Sequence, residues 1–148
     1  MLKETFIKIY EMDLRKVINE VNLYENEADL WKLTDGISNS GGNLALHLIG
    51  NINHFFGAAL GGTDYKRERE AEFADKKVSR QQIVQDLENA VRVLKDALEN
   101  LSDEDFQKAF PENFRDGNPP IVAVVAYMLS HLNYHLGQIN YHRRFFTK

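Results

Sequence analysis

Five histidines are the residues of this 148-residue chain whose type and spacing can do chemistry, and they fall in two segments: His47 and His54 in one, His131, His135 and His142 in the other. A neutral imidazole offers a nitrogen lone pair to a divalent cation, and two imidazoles at i and i+4 of a helix lie on one face, about 6 Å apart along the axis. His131 and His135 have that spacing, and His142 falls within about 40° of them at 100° per residue. An HxxxH pair also arises by chance, so a site needs a third ligand from another element. His47 and His54 are the candidates. They share a face but stand about 10 Å apart along the axis, so one of them joins the pair. If their helix is antiparallel to the last one, setting His47 level with His131 and His135 leaves His54 near the level of Ala126 and His142 about 10 Å away. His54 and His142 are then candidates for groups behind the ligands or at the rim of the site. Gln138, within about 20° of the His131 direction, and Tyr134, on its flank, are candidates to orient a bound water or substrate.

Three imidazoles leave coordination positions free for water or substrate, as in catalytic rather than structural zinc sites. Zinc or nickel suits an all-nitrogen set, whereas iron lacks its usual carboxylate partner. Such an ion lowers the pKa of bound water or of a thiol and so supplies a nucleophile at neutral pH. The chain has no cysteine, which removes any disulfide framework or thiolate ligand of its own, and any thiol must come from elsewhere. No catalytic acid or base outside the metal site can be named.

Four helices must position these residues. Leu2, Phe6, Ile9, Tyr10, Val17 and Val21 follow helical spacing to about Leu23. Tyr24 to Gly42 is a loop rich in Gly, Ser, Asn and Asp, with Trp31 as a plug for one bundle end. Asn43 to Leu60 is a second helix, apolar nearly all round. Residues 61–78 are charged and unpatterned apart from Phe73, and a connection that long lets the chain travel the length of a bundle, so that helices two and three run parallel. Ser79 and Gln82 suggest a capping box for a third helix reaching about Leu101. Phe106, Phe110 and Phe114 are expected to anchor the next connection. Pro119 to Arg144 is the last helix, with Asn118 as its expected cap and Arg143 and Arg144 at its negative end. No strand competes for the chain, and the expectation is a single all-α domain over residues 1–148, a four-helix bundle.

A formal charge of −4 and a pI near 5.7 argue against binding nucleic acid, which needs a basic face. Lys66 to Arg69 and Arg143 to Lys148 are short basic clusters expected to be solvated surface. No signal peptide or apolar run of membrane-spanning length is present, so the expectation is a cytoplasmic protein with no membrane partner.

NSGGNLALHLIGN on helix two, with SHLNYHLGQINYHRR on helix four, resembles the DinB/YfiT-like family of metal-binding four-helix bundles over nearly the whole chain. The resemblance implies an up-down-down-up bundle with a long crossover between helices 2 and 3, a divalent ion on His47, His131 and His135, and a homodimer. It further implies a metal-dependent transferase or isomerase that uses a low-molecular-weight thiol such as bacillithiol, mycothiol or glutathione. The functional expectation is therefore a metal-dependent thiol S-transferase acting on an electrophilic small molecule. A metal-dependent hydrolase and a non-enzymatic metal-binding bundle are the alternatives.

Overall fold

The computed structural model describes residues 1–147. Its α-helices are α1 (Leu2–Leu23), α2 (Gly41–Ile52), α3 (Arg69–Ala74), α4 (Arg80–Glu99) and α5 (Ile121–Phe146). The amphipathic spacing turns one stripe of each long helix inward. Leu14 and Val17 of α1, Leu48 of α2, Leu87 and Leu94 of α4, and Val124, Val125 and Ile139 of α5 are buried together, each side chain worth roughly 1.5–3 kcal/mol of transfer free energy. Phe106, Phe110 and Phe114 are buried as the anchors of the α4–α5 connection.

Residue pairing gives the helix directions. Tyr10 donates to the Val125 carbonyl, Asn133 to Asp13 and Arg143 to Glu20, so α1 and α5 run parallel. Lys3 reaches the Glu99 and Leu101 carbonyls while Arg15 pairs with Glu88, so α1 and α4 are antiparallel. Gly41 lies against His142 and His47 against His131, which makes α2 antiparallel to α5; Gly57 faces Val93 and Gly61 faces Ala97, which makes α2 parallel to α4. The bundle is up-down-down-up, with the crossover between the second and third long helices. No helix among the described residues is long and apolar enough to cross a membrane.

Four local features differ from the sequence reading. First, Asn118 does not cap α5. The N-cap is Pro120, in an extended conformation; the Pro119 carbonyl accepts from Phe110 N–H, and the Asn118 amide donates to the Phe110 and Glu112 carbonyls. A proline biases its predecessor away from helix, so the Pro119–Pro120 pair holds Asn118 and Pro119 extended and delays the first turn. Second, α2 begins two residues early, because Ser40 Oγ accepts from Asn43 N–H and caps it there. Third, its continuation, Asn53–Leu60, is a π-helix, with i→i−5 bonding that ends the seven-residue register linking His47 to His54. Fourth, the crossover contains α3, which returns Glu72 and Phe73 to the bundle.

Candidate metal centre

The Ser40 cap sets the start of α2, and Asn43, fully buried one turn later, donates to the Glu72 and Asp75 carbonyls. One side chain thus ties the crossover to the helix that carries His47. Gly50 completes the approach: a Cβ there would lie 1.8 Å from Glu72 Oε2, so only a bare helix surface admits the carboxylate. Glu72 then accepts from His47 Nδ1 at 3.0 Å and from Arg67 through two bonds of 2.8 Å. From α5, His131 and His135 point at the same place. His131 Nε2 lies 3.4 Å from His47 Nε2 and 3.0 Å from His135 Nε2, and the three residues each offer a nitrogen within 4.8 Å of the others.

The partners of the outer nitrogens assign the tautomers. A carboxylate only accepts, so His47 carries its hydrogen on Nδ1 and turns a lone pair inward from Nε2. Gln138 Oε1 lies 2.7 Å from His135 Nδ1 and does the same for that ring. The Asn51 amide nitrogen sits 3.1 Å from His131 Nδ1 and 3.3 Å from His47 Nε2 and donates to both. His131 therefore keeps its hydrogen on Nε2 and donates it toward His135. On this assignment the His131 Nε2–H is the imidazole hydrogen directed into the cluster. A divalent ion held there would require the His131 hydrogen on Nδ1, where the Asn51 side-chain carbonyl, if turned toward it, would accept it.

Burial, with the neighbouring His135, His47 and Arg67, holds the His131 pKa down to about 4. Burial also lowers His135, with the Gln138 bond partly opposing it. Both rings are neutral near pH 7, the ligating form. Glu72 is pushed up by burial, and the hydrogen bonds from Arg67 and His47 outweigh that and leave it below the usual carboxylate range. The residues fit a divalent ion. Three nitrogens at the zinc bond length of about 2.0–2.1 Å on a tetrahedral ion stand about 3.3 Å apart; two of the separations, 3.4 and 3.0 Å, lie on either side of that value, and all three nitrogens lie within 4.8 Å of one another.

A model of a protein family of unknown function, DUF1572, matches residues 3–148. The chain belongs to this DinB-like family. The crystal structure of a DinB-like protein from Bacillus cereus ATCC 10987 superposes with a TM-score of 0.75 at 17% identity, covering 95% of this chain and 90% of that one, which shows a shared fold. No functionally curated protein matches in sequence.

In this DinB-like chain the other polar candidates separate. Gln138 backs His135, and Tyr134, an exposed residue, packs edge-on against His135 with ring centroids 5.3 Å apart. His54 Nε2 instead pairs with Glu112 at 2.7 Å. His142 accepts from the Tyr24 hydroxyl on Nδ1 at 2.7 Å and donates from Nε2 to the Lys32 carbonyl at 2.8 Å, so both its nitrogens are engaged at the far end of α5. A cavity of about 460 Å³ lies at that end and reaches the triad's surroundings through Gln138. A smaller one, about 260 Å³, has His47 and His131 in its wall.

Sequence reasoning missed Asn51, Arg67 and Glu72. The solvated-surface reading fails for Arg67, whose side chain is 14% exposed and forked onto Glu72, and for Arg143, half-buried and paired with Glu20. The available signal was Phe73, the one large apolar side chain between α3's flanking charged residues, which stacks on His47 with centroids 4.8 Å apart.

Proposed function

We propose that this DinB-like protein is a divalent-metal-dependent transferase in which a low-molecular-weight thiol of the bacillithiol, mycothiol or glutathione type attacks an electrophilic small molecule. The observation that carries the metal reading is the convergence of His47, His131 and His135, with Glu72 and Gln138 fixing two of the rings from behind. Zinc or nickel suits the neutral nitrogen set. When bound, the ion supplies Lewis-acid chemistry that lowers the pKa of a thiol. The chain's residues do the rest. His47, His131 and His135 hold the ion, Glu72 and Gln138 keep two of the rings oriented, and Tyr134 covers the His135 side. The thiol sulfur forms a bond to the electrophilic carbon, the leaving group departs with its electron pair, and the thiol proton passes to solvent. The absence of cysteine supports an external thiol. In the same reading the protein works as a homodimer, supported by the exposed aromatic side chains of Tyr127, Tyr134, Tyr141 and Phe145 along α5.

Elemental analysis of purified protein, followed by a turnover screen against alkylating electrophiles with and without each thiol, tests this. One equivalent of metal per chain and thiol-dependent consumption of the electrophile are expected. Metal-dependent turnover without thiol would assign hydrolysis instead, and metal that raises the melting temperature with no turnover would leave a binding protein.

A further inference from the structure

The cavity beside the triad concentrates positive charge in an acidic chain. Arg67 and Arg69 from the crossover and Arg115 from the α4–α5 connection line it, and no aspartate or glutamate does, although the whole chain carries 22 acidic against 18 basic residues. Each guanidinium rests on an aromatic ring: Arg67 is 6.0 Å from the Phe55 centroid, Arg69 5.1 Å from Phe73, and Arg115 4.9 Å from Tyr127. Such stacking positions a guanidinium while leaving its N–H edge free to donate. Arg67 uses Nε and one terminal nitrogen on Glu72. Arg69 and Arg115 form no ion pair among the described residues.

The backbone of Arg115 adds a second, independent sign. At φ 58° it is the one non-glycine residue in the left-handed region among those described, a conformation that glycine adopts without steric cost. The connection keeps a long cationic side chain where a glycine would fold more easily, as strained residues at binding sites do. Phe55, Phe114, Tyr127 and Met128 supply apolar lining to the same cavity as the arginines, His47 and His131.

We propose that this cavity binds an anionic organic substrate through its carboxylate, with Arg69 and Arg115 as the partners of the carboxylate and the aromatic lining taking the apolar body. A guanidinium fork matches a planar carboxylate, and the apolar lining favours that anion over the more strongly hydrated phosphate. The proposal rests on the metal-site reading only in taking this cavity as the place where substrate reaches the ion; the anion site itself needs no metal.

The test is a calorimetric titration of chelator-treated, metal-free protein with 3-phenylpropionate, its neutral analogue 3-phenylpropanol, and inorganic phosphate. The carboxylate is expected to bind at least about tenfold more tightly than the alcohol and than phosphate. Arg69→Gln and Arg115→Gln are each expected to weaken it by about tenfold, the loss of one charge-assisted hydrogen-bonded partner. Arg115→Gly is expected to lose the same affinity while its melting temperature holds or rises, which separates binding from folding. No carboxylate binding at millimolar concentration, equal binding of the alcohol, preference for phosphate, or wild-type affinity in both glutamine variants overturns the proposal. Because the titration is run without metal, its failure leaves the measured metal stoichiometry untouched, and the reverse also holds.

Discussion

The Glu72 carboxylate and the His47 imidazole meet at 3.0 Å with only 7% of each side chain exposed, although 25 residues of chain separate them. That contact sets the tautomer of His47 and points its remaining lone pair at His131 and His135. It makes the crossover part of the site rather than a tether between helices.

Glu72→Gln retains the shape and removes the charge. The expected outcome is a roughly 10- to 100-fold loss of metal affinity, the usual effect of removing a carboxylate behind a ligating histidine, measured by competition with a chromophoric chelator. Unchanged affinity would show that Glu72 serves only to pair Arg67. Glu72→Ala is expected to cost about 1–3 kcal/mol in denaturant unfolding, because it leaves the half-buried Arg67 guanidinium without its carboxylate partner.

Two glycines in helices should respond in opposite directions to alanine. Gly50→Ala puts a methyl group 1.8 Å from Glu72 Oε2, an atom held in place by Arg67, so both melting temperature and metal affinity are expected to fall despite alanine's better helix propensity. Gly137→Ala on α5 meets nothing within 4 Å and is expected to gain about 0.5–1 kcal/mol. A melting temperature that rises in both variants would remove the argument that Gly50 makes room for the carboxylate.

Histidine substitutions should divide by place. His47→Ala, His131→Ala and His135→Ala are each expected to abolish stoichiometric metal binding, read by elemental analysis after dialysis. His54→Ala is expected to retain it, since His54 pairs with Glu112. Metal removal is expected to lower the melting temperature of the wild-type protein, because a ligand bound only by the folded state stabilises it by mass action.

His142 should make the protein acid-sensitive. Burial lowers its pKa from the ordinary 6.5, against the opposing pull of the Lys32 carbonyl and Asp29. The unfolded chain therefore takes up this proton first as pH falls, and the stability present above about pH 6.5 is lost progressively toward the folded-state value. Urea midpoints at about pH 7 and pH 5, either side of the ordinary histidine pKa, are expected to differ less in His142→Gln than in the wild type. An equal difference would assign the acid sensitivity to other groups.

The four long helices, their order and the face shared by His131 and His135 were legible in the chain because each depends on periodicity or on fixed spacing along one helix, whereas His47 joins that pair only through the antiparallel packing of α2 on α5. On α4, Ile83, Leu87, Ala90, Val91, Leu94 and Leu98 follow one stripe and are all buried. His131 and His135 share a face by helix geometry alone. The end of α2 was not legible, since a switch from α to π bonding leaves the composition unchanged and alters only the turn.

The order of amino acids is enough to set the apolar stripes, hence the bundle, and the HxxxH pair, hence the chemistry open to it. Packing in three dimensions placed Glu72, Arg67 and Asn51 behind the histidines, gave His142 to Tyr24 and Lys32, and turned three arginines toward one cavity. Range accounts for the difference: a helix fixes which residues share its face within a few turns, whereas a charged crossover finds its place only through contacts with residues far away in the chain, such as Asn43 and Gly50 on α2.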